Sequence, residues 1–60
     1  MKQVDYSFCD YMNDLWNLYQ VRGMMSSANA ARRILDTREE IYLAWLADES
    51  VQDYFMNDEE

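Results

Sequence analysis

From Tyr6 to Arg22 the apolar residues recur with a helical period. At about 100° per residue, Phe8, Tyr11, Met12, Leu15, Trp16, Leu18 and Tyr19 fall on one side of a helix. Asp10, Asn13, Asp14, Asn17 and Gln20 fall on the other. So wide a stripe predicts an amphipathic helix over 6–22. Asp5 or Ser7 supplies a side-chain oxygen for the unpaired amides of its first turn. Gly23 stands where a left-handed residue is expected to end it. Phe8, Met12, Leu15 and Tyr19 are the core positions this pattern selects.

Met24 and Met25 form the connection to the next element, and Ser26 or Ser27 caps its start. Ala28, Ala31, Ile34, Leu35, Ile41, Tyr42, Trp45 and Leu46 then keep one unbroken phase, which predicts one helix over 27–48, straight or kinked. Two features oppose it. Thr37-x-x-Glu40 has the pattern of a capping box, which starts helices, and Arg38 falls inside the apolar stripe. Phase agreement decides for one helix, because a true break has no need to preserve it. Glu49 would lie on the apolar face if the helix continued, so it is expected to stop near Asp48. Ser50-x-x-Asp53 is a second capping box, followed by Val51, Tyr54, Phe55 and Met56, and it predicts a short helix over 50–56. Residues 57–60 are expected to fray as an acidic tail. The expected architecture is all-α: a helical hairpin or three-helix bundle forming one domain over 1–60.

Composition narrows how such a chain is stabilised. Of its 60 residues half are hydrophobic, including five Met, five Tyr, two Trp and two Phe, which is too apolar for a disordered tail. A domain this small buries only about 60% of the surface its unfolded chain exposes, and usually needs a disulfide, a metal or a partner. Cys9 is the single cysteine and there is no histidine, so neither a disulfide within the chain nor a zinc site is expected. Helix packing and association with another chain remain. No apolar run approaches the ~20 residues of a membrane span. Met1-Lys2-Gln3-Val4-Asp5 lacks the basic-then-apolar order of a secretory signal. The expected location is the cytoplasm, with no membrane partner.

Charge changes the picture most. The net charge is −7, and it is unevenly placed. Residues 1–35 carry four bases (Lys2, Arg22, Arg32, Arg33) against Asp5, Asp10 and Asp14, a net of +1. Residues 36–60 carry nine acids (Asp36, Glu39, Glu40, Asp48, Glu49, Asp53, Asp58, Glu59, Glu60) against Arg38, a net of −8. Such a field repels nucleic acid and anionic membranes and attracts basic protein surfaces. Asp36, Glu39, Glu40, Asp48, Glu49 and Asp53 are therefore the candidate partner-binding acids. They either imitate the phosphates of a nucleic-acid backbone or keep an apolar small protein soluble. Asp36 and Glu40 lie about 6 Å apart along a helix axis, a spacing that fits strand phosphates loosely.

The run Ile41-Tyr42-Leu43-Ala44-Trp45-Leu46-Ala47 covers the whole circumference of a helix. Leu43 and Ala47 point away from the core stripe. They either form a second interface or are covered when the last helix folds back with Phe55 or Tyr54. Met24 and Met25 in the connection, together with Leu43, Ala47 and Tyr54, are the candidate apolar contacts, because Met and Tyr are enriched at interface cores. Arg32 and Arg33 are expected to form surface ion pairs with Asp36, worth about 0.3–0.5 kcal/mol. Two arginines do not make a nucleic-acid site.

Catalysis is not expected. Histidine, the commonest general base, is missing, and Cys9 has no base to activate it, so its expected role is a half-buried filler. With one glycine, no phosphate loop, dinucleotide fingerprint or calcium loop can be built, and no cofactor or metal is expected.

In size, acidity and helicity the chain resembles the small acidic proteins of phages and mobile elements that disable host nucleic-acid enzymes, DNA mimics and anti-CRISPR proteins among them. The resemblance spans the whole chain and carries no motif. It implies inhibition by occlusion: acids meet the lysines and arginines that hold phosphates on a host protein, and exposed aromatics set the register. The alternative is a structural module, either a helical homodimer or a small subunit of a larger assembly.

Overall fold

The computed structural model describes residues 6–58, Asp58 by its backbone alone. Among these residues there are four helices and no strand: α1 Phe8–Val21, α2 Ser27–Asp36, α3 Arg38–Leu46 and α4 Val51–Asp58. The all-α architecture is as expected, with four helices in place of three. Asp5, the alternative first cap, and Glu59 and Glu60 of the expected tail lie outside the described residues.

Three serines start three of the helices. Ser7 Oγ accepts the Asp10 amide at 3.1 Å, Ser26 Oγ the Asn29 amide at 3.2 Å and Ser50 Oγ the Asp53 amide at 3.1 Å. Each satisfies an amide that the first turn leaves unpaired, and each is worth about 1 kcal/mol against alanine. α1 is the centre of the molecule. Its Tyr11, Leu15 and Tyr19, one turn apart, are buried, and α2, α3 and α4 all pack on it. Ala30 and Ala44, both buried, are the small residues that let α2 and α3 come close to it.

The single helix expected over 27–48 is corrected. It is broken at Thr37, which has φ −114° and ψ 26° and serves as C-cap of α2 and N-cap of α3. The capping box that argued for a break does not form. Thr37 makes no side-chain cap to α3; its hydroxyl donates back to the Arg33 carbonyl at 3.0 Å. Back-bonding of a threonine to the carbonyl four residues earlier competes with the helix ladder and bends it. The break also re-aims the apolar stripe. Ala30, Ile34, Ile41 and Ala44 face inward, whereas Ala28, Ala31, Leu35, Tyr42 and Leu46 are exposed. Of the expected stripe only Ile34 and Ile41 are buried and Trp45 is half-buried, while Ala30 and Ala44, outside that stripe, complete the strips that meet α1.

The turn after α1 differs from expectation, whereas the helix before Ser50 stops near Asp48 as expected. Gly23 does not have a positive φ; Met24 does, at 56°. The Met25 amide returns to the Tyr19 carbonyl at 3.0 Å, and a Cβ on Gly23 would stand 2.6 Å from that same oxygen. Glycine is needed here because the chain crosses close over a carbonyl, not because its backbone is left-handed. After α3, Asp48 takes φ 63° and the Glu49 and Asp48 amides bond to the Ala44 and Trp45 carbonyls, a Schellman stop with aspartate in the usual glycine position.

α4 runs through Asp58, beyond the expected end at 56; Asn57 is helical, and its side-chain Nδ2 donates to the Glu49 carboxylate at 3.1 Å. Its Val51, Tyr54 and Phe55 are buried against α1, with Phe55 tilted on Tyr19 at 5.6 Å. The helix therefore does not fold over Leu43, which is 63% exposed. No described helix is long and apolar enough to cross a membrane.

Candidate interaction surface

Where α3 passes the start of α1, three aromatic rings pack together. Phe8 meets Tyr42 edge-on at 5.1 Å and Trp45 at 5.5 Å, and Tyr42 lies 5.8 Å from Trp45. The Trp45 indole donates to the Tyr6 carbonyl at 2.8 Å, so the cluster is tied to the segment leading into α1. Tyr6 in turn donates its hydroxyl to Asp14 at 2.6 Å. Partial burial, then the Asp14 hydrogen bond and charge, hold the Tyr6 phenol well above its ordinary range.

Beside this cluster runs an open, mainly apolar groove of about 440 Å³, lined by Phe8, Arg38, Glu39, Tyr42 and Leu43. Tyr42 and Leu46 are each 44% exposed, so with Leu43 they form an apolar strip along the outer side of α3. Ala47, also exposed, extends it. A fixed aromatic wall beside exposed aliphatic side chains is the composition of an interface core.

The six candidate acids divide between the two ends of α3. Asp36, Glu39 and Glu40 stand at its start, and together with Thr37 and Arg38 they line a small polar hollow. Glu39 also belongs to the apolar groove. Asp48 and Glu49 follow its other end, and Asp53 lies in the first turn of α4. The axis of α3 puts about 12 Å between Glu40 in its first turn and Asp48 beyond its end. Glu39, Glu40 and Asp53 also sit on helix N-termini, where a carboxylate gains about 0.3–1 kcal/mol from the dipole. Glu49 accepts from Asn57, and its charge acts on Tyr11. Burial first, then Glu49, Tyr54 and Asp53, push the Tyr11 phenol up to about 12.

The apolar candidates are not one surface. Leu43 on α3 and Ala47, its C-cap, are both exposed. Tyr54 is a correction: it is buried against α1 and presents no surface to a partner. Met25 is partly buried, packed against the core, and its backbone amide returns to the Tyr19 carbonyl. Met24 is 87% exposed but follows the far end of α1, about 20 Å of helix from Phe8. Cys9 is exposed, not a half-buried filler. It lines an apolar hollow with Met12, Asn13, Trp16, Ala31, Ile34 and Leu35, none of which is a base. Arg33 rests over the Tyr19 ring at 5.8 Å, a cation–π contact in addition to any role in surface pairing.

Phe8, Tyr42 and Leu46 have the period of core positions, yet Phe8 and Tyr42 line the open groove and Leu46 is exposed. The available signal was the run 41–47, apolar on every side, which a helix packed on one neighbour cannot bury. No group of residues suited to hold a metal ion occurs among the described residues. No protein-family model matches the chain, and no curated protein or solved structure matches it either.

Proposed function

We propose that this is a non-enzymatic binding protein of the phage-inhibitor type, acting in the cytoplasm by covering a nucleic-acid-binding surface of a host protein or complex. The observation that carries the reading is the outer side of α3. Leu43, Tyr42 and Leu46 stand open between Asp36, Glu39 and Glu40 at one end and Asp48 at the other. Apolar side chains with acids at both ends suit a surface whose lysines and arginines normally hold phosphates. The acids speed encounter and set orientation, and the apolar strip supplies the water-free contact that makes the complex last.

Affinity capture from nuclease-treated bacterial lysate at low salt, with stepwise salt elution, tests this. A retained nucleic-acid-binding protein should elute as salt rises and compete with added DNA or RNA. A variant with Asp36→Asn, Glu39→Gln, Glu40→Gln and Asp48→Asn should lose most of that binding while its helices persist. Glu49 and Asp53 are left intact because Glu49 holds Asn57 and the Asp53 carboxylate favours the start of α4. Unchanged binding by the variant, or a partner that still holds its nucleic acid, rules out occlusion by the acids.

A further inference from the structure

We infer that the strip on α3 docks a basic amphipathic helix of the partner protein, one of whose apolar side chains enters the Phe8–Tyr42–Leu43 groove. The inference rests on the binding reading above and names the shape and chemistry of what the surface takes. Tyr42 and Leu43 lie one turn before Leu46 and Ala47, the residue that caps α3, so the strip is two residues wide and about 6 Å long on the outer side of α3. A helix laid along it places apolar residues one turn apart against these four, with charged residues on its flanks. The groove beside Phe8 is open to solvent and mainly apolar, with Arg38 and Glu39 also in its lining. It is therefore suited to one protruding aliphatic or aromatic side chain.

Charge selects the occupant. The start of α3 carries Asp36, Glu39 and Glu40 against Arg38, a net of −2, and its end carries Asp48 and Glu49, also a net of −2. The aligned dipole of α3 adds partial negative charge at the second end. A second copy of this chain fits poorly. Packed antiparallel about Leu43, two α3 helices bring the −2 start of each against the −2 end of the other. One Arg38–Asp48 pairing on each side leaves the remaining acids opposed. Packed parallel, they oppose like ends directly. Nucleic acid and anionic membrane are repelled by the same groups. A helix with lysine or arginine near both ends of its apolar stripe meets both clusters at once.

The probe is a synthetic helical peptide with leucines at i, i+3, i+4 and i+7 and lysine or arginine elsewhere. Its controls are a scrambled peptide of equal composition and a glutamate-for-lysine counterpart. Calorimetry and amide chemical shifts are read on the full chain, and sedimentation on the chain alone. The expected result is saturable one-to-one binding that moves the Phe8, Tyr42, Leu43 and Leu46 amides and weakens as salt rises. Leu43→Glu, checked for helicity, should weaken it tenfold or more. Glu39→Gln with Glu40→Gln should weaken it severalfold at low salt and flatten the salt dependence.

Equal binding of the scrambled peptide, shifts confined to other helices, or no binding by a monomeric chain overturns the inference. A dimer that Leu43→Glu dissociates overturns it in favour of a second copy. If the peptide binds as described but the captured partner keeps its nucleic acid, helix docking stands and occlusion alone falls.

Discussion

The indole nitrogen of Trp45 and the carbonyl oxygen of Tyr6, 39 residues apart in the chain, are joined by a 2.8 Å hydrogen bond. This bond closes α3 onto the segment that leads into α1 and holds the aromatic wall of the α3 groove. Trp45→Phe keeps most of the packing and removes the donor, leaving the Tyr6 carbonyl without that bond. The expected cost is about 1–2 kcal/mol in denaturant unfolding. Amide exchange should accelerate at residues 6–8 and in α3 before α4. An unchanged midpoint and exchange pattern would show that ring packing alone holds the closure.

Gly23 and Met24 separate two roles that glycine often combines. Gly23→Ala places a Cβ against the Tyr19 carbonyl and should destabilise by about 1–3 kcal/mol, as overpacking does. Met24→Gly relieves a left-handed conformation, worth roughly 1–2 kcal/mol, against a glycine entropy cost of about 0.5–1. It should stabilise by about 1 kcal/mol or less. Thermal unfolding of both variants checks the pair. The assignment fails if their effects have the reverse signs.

Leu43 and Ala44 are neighbours with opposite surroundings, 63% and 6% exposed. Leu43→Glu should change stability by no more than about 0.5 kcal/mol. Ala44→Leu forces bulk between α3 and α1 and should cost about 1–3 kcal/mol. Urea melts distinguish the two. A large loss from Leu43→Glu would place that side chain inside a core or a dimer seam.

The phenols of Tyr11 and Tyr6 predict alkaline sensitivity. Burial, then neighbouring carboxylates, pushes Tyr11 from 10.0 up to about 12, and Tyr6 is raised for related reasons. The folded state thus holds its protons where the unfolded state has lost them. The resulting stability is fully present below pH 10 and is lost as pH rises through about 12. Thermal midpoints should fall across that window, in step with tyrosinate absorbance. Tyr11→Phe should lessen the fall, and a fall unaltered by that change would assign it elsewhere.

The sequence by itself determined whatever is settled within a turn or two of helix. The all-α class follows from the periodic stripe and the near absence of helix breakers. The starts of α1, α2 and α4 were legible to within a residue or two, at Asp5 or Ser7, Ser26 or Ser27, and Ser50, because a cap needs only its own residue and an amide three positions on. The structure selects Ser7 and Ser26. The polarity of charge was also legible, since it is a property of composition along the chain. Tertiary structure decided which side of each short helix is buried. The period of 27–48 selects eight of its 22 residues, and of these only Ile34 and Ile41 are buried. The reason is that the break at Thr37 and the close approach at Ala30 and Ala44, which lie outside that stripe, set the inner face. Tyr54 and Leu43 show the consequence. α4 has one apolar face to spend, and packing it on α1 buries Tyr54 and leaves Leu43 in water. Local pattern records that both residues are apolar; which one meets a neighbour depends on where the preceding turn aims the chain.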